Sequence, residues 1–155
     1  MTDKVLIAYD DSDGAKAAID AAGRSFTGRA ADVVCVWQSV GEAVAAGNIA
    51  LPAEVAGKAV TELDRHAEAH AREIAEEGAR AARAAGLEAT ARTVKAGGNV
   101  WATLVHLAQA EQPAAVVVGS RGRSGVKSVL LGSVSSGVAN HSTVPVLVVP
   151  GFSNP

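Results

Sequence analysis

Val116 to Ser136 reads VVVGSRGRSGVKSVLLGSVSS, and the rest of the chain can be placed around it. An apolar strand runs into Gly119. Glycine returns at Gly122, Gly125 and Gly132, and Arg121, Arg123 and Lys127 are threaded between. Glycine lets a backbone turn sharply and approach a ligand closely. Amides in such a turn, and at the start of a following helix, form a concave anion site. The segment therefore reads as a phosphate-binding loop between a buried strand and a helix over about Ser133 to His141.

Outward from the loop, short apolar runs alternate with helical patterns. Val5–Tyr9 reads as a first strand, closed by Asp10, Asp11 and Ser12, with Ser12 or Asp11 placed to cap the helix Ala15–Arg24. Asp32–Trp37 is the second strand. Val40–Pro52 carries mixed signals, a loop or a short helical piece. Glu54–Ala85 reads as one long helix with Val55, Leu63 and Ile74 on its inner side, weakened at Gly57 and Gly78. Leu87–Val94 reads as a strand near a sheet edge, Val100–Glu111 as a helix, Ala114–Val118 as a buried strand, and Val146–Val149 as the last. Apolar strands separated by helices predict a parallel sheet covered on both faces, a doubly wound α/β sandwich. Ligands of such folds sit beyond the carboxyl ends of the strands. Asp10, Trp37 and Gly119 end strands one, two and four.

Composition narrows the class. The chain has 155 residues, the length of one domain, spanning 1–155. Hydrophobic residues make up 48% and aromatics 3%, so the core is built from Val, Ala, Leu and Ile. A net charge of -2 argues against general nucleic-acid or membrane-surface binding. The single Cys35 reads as a small buried hydrophobe. The opening MTDKVLIAYDD lacks the pattern of a signal peptide, and no apolar run has membrane-spanning length, so the expectation is a soluble, cytoplasmic protein. His66 and His70 share a helix face without a third ligand, which reads as a solvated face. Trp37 and Trp101 read as packing residues, with Trp37 also placed to shield a base. No Ser-His-Asp arrangement assembles, and no catalytic or metal-ligating residue is assigned.

Two familiar nucleotide motifs fail on register. A Walker loop needs Gly directly before Lys, but Val126 separates Gly125 from Lys127. A dinucleotide fingerprint needs glycines after the first strand, where Asp10, Asp11 and Ser12 stand. What remains is G-x-x-G, nine residues, then G-S: Gly119, Gly122, Gly132, Ser133. With this spacing the chain resembles the universal stress protein family in its ATP-binding branch. VLIAYDDS resembles that family's first strand and acidic turn, VVCVW its second strand, VKAGGNVWATLVHLA its entry to a helix, and TVPVLVVP its closing strand. Asn99 departs from it where the family often carries proline.

The resemblance implies an adenine nucleotide alpha hydrolase-like sheet of five parallel strands in the order 3-2-1-4-5. It implies ATP as ligand, with Mg²⁺ or Mn²⁺. Asp10 would accept from ribose or help hold the metal. Ala8 and Tyr9 would border the base, and Val36 would offer backbone groups to the adenine edge. Val118, Gly119 and Gly122 would let the chain pass close to ribose and phosphates. Arg121 and Arg123 would reach phosphate or stay solvated, and Lys127 would face the surface. Gly132, Ser133, Val134 and Ser135 would meet the β and γ phosphates. The implied role is a nucleotide-dependent switch in stress response, in which binding orders the loop and alters a surface read by partners. A slow ATPase or nucleotidyl-transfer enzyme on the same site, and a structural dimer module without ligand, are the competing readings. The apolar last strand, at the end of the strand order, implies a homodimer paired along it.

Overall fold

Val5–Ala8 (β1) is apolar at every position and lies in the middle of the sheet, as a strand buried on both faces must. The computed structural model describes residues 2–55, 57–122 and 131–151. In it β1 is followed by α1 (Asp13–Ser25), β2 (Ala30–Trp37), α2 (Val40–Ala45), a 3-10 turn (Ala53–Val55), α3 (Lys58–Ala84), β3 (Glu88–Lys95), α4 (Val100–Glu111), β4 (Ala115–Gly119), α5 (Ser133–His141) and β5 (Val146–Val149). The five strands form one sheet in the order β3-β2-β1-β4-β5. All pairings are parallel, with Val5 opposite Ala31 and Ala115, Trp37 opposite Lys95, and Gly119 opposite Val149.

Alternate residues of each strand supply two cores. Val5, Ile7, Val33 and Cys35 pack under α1 and α3 with Ile19, Ile74 and Ala75. Leu6, Val34, Val116 and Val118 pack under α4 and α5 with Leu104 and Val138. Alanine lines much of the first core, so helices approach the sheet closely. Gly78 in α3 follows from this, since a Cβ there would lie 2.6 Å from the Tyr9 ring and 2.8 Å from Val33.

The long helix differs from the sequence reading. Gly57 takes φ +85°, outside the right-handed helix, so the helix starts at Lys58 instead of Glu54, and Val55 belongs to the 3-10 turn. Leu63 is 45% exposed and not on the inner side. Every buried residue of α3 lies at Ala71 or beyond, because its first half overhangs the sheet. The indeterminate Val40–Pro52 segment contains α2. Its start is held from α3: Asp64 accepts from the Ser39 hydroxyl at 2.6 Å and from Val40 N–H at 2.6 Å. Ser12 caps α1 by accepting from Ala15 N–H. Asn99 makes no side-chain cap. Thr103 braces the α4 start instead, accepting from Gly97 N–H and donating to the Asn99 carbonyl.

Candidate functional site

The carboxyl ends of β1, β2 and β4 open into a cavity of about 460 Å³. Ala8, Tyr9 and Asp10 enter it from β1, Val34 to Gln38 from β2, and Val118, Gly119 and Arg121 from the end of β4. Ala15 of α1, Val100 and Leu104 of α4, Val134 of α5, and Ala67, His70, Ala71 and Ile74 of α3 complete the lining among the described residues. The position follows from topology. β1 sends its connection to one side of the sheet and β4 to the other, which leaves a crevice where the order reverses.

Of the residues singled out in the sequence, Ala8, Tyr9, Asp10, Val36, Val118, Gly119, Arg121 and Val134 line this cavity together. Gly122, Gly132, Ser133 and Ser135 are not among its lining residues. Arg123 and Lys127 lie outside the described residues. Gly122 sits over the acidic turn, since a Cβ on it would lie 3.2 Å from Asp10 Oδ2. Asp10 Oδ1 accepts from the Ser12 amide and hydroxyl, which fixes the carboxylate at the mouth of the cavity.

Gly119 has a reason that spacing alone did not reveal. A Cβ there would lie 2.5 Å from the Gly14 backbone, and a Cβ on Gly14 would run into the Arg121 carbonyl. Two glycines thus let the start of α1 cross the end of β4. The start of α5 is tied to the same corner. Gly132 N–H donates to the Ser120 carbonyl at 2.6 Å. Ser135 is 2% exposed, and its hydroxyl is directed at the carbonyls of Ser120 and Gly132, at 3.0 and 3.1 Å. Ser133 is exposed. The first-turn amides of a helix lack intrahelical partners, so this end of α5 suits an anion.

Tyr9 is buried against α3, and its phenol is pushed up to about 12 by burial and by the carboxylates of Glu77, Asp11 and Asp10. Asp11 takes φ +65°, with its carboxylate 3.2 Å from Lys16 and 3.5 Å from the Tyr9 hydroxyl. Sequence reading missed the α3 side of the cavity. His70, on the solvated face that the sequence predicts, is largely exposed and also stands on the rim, and only the packing of α3 reveals the latter. His66 pairs with Glu62, and among the described residues no three His, Cys, Asp or Glu side chains gather as a metal site. Trp37 lines the cavity, whereas Trp101 stacks on His141 with ring centroids 4.5 Å apart. Among the described residues no helix is long and apolar enough to cross a membrane.

Comparison with known proteins agrees with this architecture. The model of the universal stress protein family matches residues 1–150. The universal stress protein YxiE of Bacillus subtilis (strain 168) is 30% identical over 149 residues, covering 96% of this chain and 99% of that one. The solved structure of hypothetical protein MJ0577 is similar with a TM-score of 0.77 and 22% identity, over 99% of each chain. A universal stress protein solved in complex with cAMP is similar at 0.60 and 28% identity, over 96% of this chain and 97% of that one. The chain belongs to the universal stress protein family.

Proposed function

We propose that this protein holds ATP, with Mg²⁺ or Mn²⁺, across the carboxyl edge of its sheet and works as a nucleotide-dependent switch in the cytoplasm. One observation carries the reading: apolar walls from Ala8, Val36 and Val118 share a cavity with Val134, in the first turn of α5, and with Arg121. Apolar walls suit a base, and the helix start and the guanidinium suit phosphate. Asp10 is the one carboxylate among the described lining residues, which fits a cation held mainly by phosphates and water with a single protein oxygen. The cAMP held by a related protein supports the nucleotide class. The same lack of further acids favours holding ATP over cleaving it, because hydrolysis needs a positioned water and stabilised charge.

Titration calorimetry with ATP and Mg²⁺ tests this directly. Saturable binding is expected; folded protein that gives no heat and no competition at millimolar ATP overturns it. The homodimer belongs to the same proposal. β5 ends the strand order, and Val146 to Val148 are only partly buried, so a second copy would cover the edge. Light scattering should report a dimer that Val148→Asp weakens, and a wild-type monomer at micromolar concentration refutes it.

A further inference from the structure

The cavity takes its lining from both faces of the sheet, and the core to which each lining residue belongs divides it into two parts, here called lobes. Val34, Val36, Val118, Leu104 and Val134 belong to the core under α4 and α5, whereas Tyr9, Cys35, Trp37, Ala71 and Ile74 belong to the core under α1 and α3. Successive residues of a strand face opposite sides. The cavity therefore folds over the end of β2, with Val34 and Val36 on one side and Cys35 and Trp37 on the other. Val134, in the first turn of α5, belongs to the first lobe, so an anion held by that helix start lies there.

We propose that the lobe beneath α3 is a separate binding site for a flat heteroaromatic group that carries no negative charge. Its walls are apolar, from Ala67, Ala71 and Ile74, and Trp37 lines it with them. Indole faces favour stacking and attract cations. Polar groups stand at its margin: Gln38 and His70, with His70 well exposed. Anions are directed elsewhere. Arg121 is the only Lys or Arg among the described lining residues, and nearby Lys16 is paired with Asp11 at 3.2 Å. Carboxylates of Glu77 and Asp11 act on Tyr9 and disfavour a phosphate on that side of the lobe. The site stands apart from the nucleotide proposal, although an occupant would lie across the end of β2 from the nucleotide.

Isoquinoline, flat and uncharged in neutral buffer, is the probe, read by NMR on the labelled full chain with and without saturating ATP. The expected result is saturable shifts of the Trp37 indole N–H and the Ala71 and Ile74 methyls, retained when ATP is present. Ala67→Leu, a good helix former at the half-buried rim, should weaken the probe at least about tenfold, the equivalent of about 1.4 kcal/mol, and leave the ATP calorimetry within about twofold. Trp37→Leu, read on Ile74, should likewise weaken the probe at least about tenfold. Shifts confined to Val118 and Val134, no shift at millimolar isoquinoline, or unchanged affinity in both variants overturns the proposal. A protein silent to ATP that still shifts at Trp37 refutes the nucleotide reading and upholds this one.

Discussion

At the amino-terminal edge of the sheet a carboxylate is buried and fully engaged. At the carboxyl edge a carboxylate stands at the mouth of a cavity. Asp32 in β2 is 2% exposed and accepts from Thr90 at 2.8 Å, Arg92 at 2.8 Å and Lys4 at 3.1 Å, and Arg92 continues to Glu111 at 2.9 Å. Burial alone would raise its pKa, but the hydrogen bonds from Arg92, Thr90 and Lys4 together outweigh burial and hold it below the ordinary value. Asp10 is half-buried and takes its orientation from Ser12. The first edge satisfies its charge from within and closes, tying β1, β2, β3 and α4 together. The second edge places Asp10 and the first turn of α5 beside a cavity. The difference separates stability from binding within one strand layer.

The largest expected effect lies at the closed edge. Asp32→Ala removes the buried acceptor shared by Lys4, Thr90 and Arg92 and leaves Arg92 with Glu111; the loss of these hydrogen bonds to a charged group should cost about 3 kcal/mol, measured by urea denaturation at neutral pH. The sign of its pH dependence follows. A carboxylate whose pKa is depressed in the folded state contributes its stability above the unfolded value of about 3.9. That contribution is lost as pH falls through the folded value. The gap between wild type and variant should therefore narrow in acid; a gap that widens contradicts the network.

Gly119→Ala comes next and tests whether the glycine serves the fold or only a ligand. Its Cβ would press on the Gly14 backbone, and overpacking of this kind costs about 2 kcal/mol. An unchanged denaturation midpoint would return Gly119 to a purely ligand-facing role. Asp10→Asn is the smallest and the most selective. Asparagine keeps an acceptor for the Ser12 amide and removes the charge. Stability should stay within about 0.5 kcal/mol, as for substitutions away from buried features. ATP affinity in the presence of Mg²⁺ should fall about tenfold, or about 1.4 kcal/mol. Equal loss with and without the metal would assign Asp10 to ribose instead.

Much of the fold was legible because it rests on period and local chemistry. Val5–Ala8 and Ala115–Gly119 are apolar runs that only a doubly covered strand explains, and Ser12 caps the helix it precedes. The glycine spacing led to the cavity edge through Gly119. The start of the long helix was not legible because the conformation of one residue, Gly57, sets it, and the exposure of Leu63 was not, because the first half of α3 extends past the sheet core and braces α2 instead. The α3 wall, with His70 and Ala71, carried no signal, since residues more than thirty positions from β2 meet it only after packing.

The sequence by itself determined the alternation of strand and helix and the glycine segment at the end of β4, because these follow from local period and residue type, and the parallel sheet follows from that alternation. Only the tertiary structure decided that Gly119 is held by Gly14, that Asp32 is a buried junction and that the cavity is lined from both faces of the sheet. Those depend on which backbones cross and which faces they cover, and distance along the chain does not encode that.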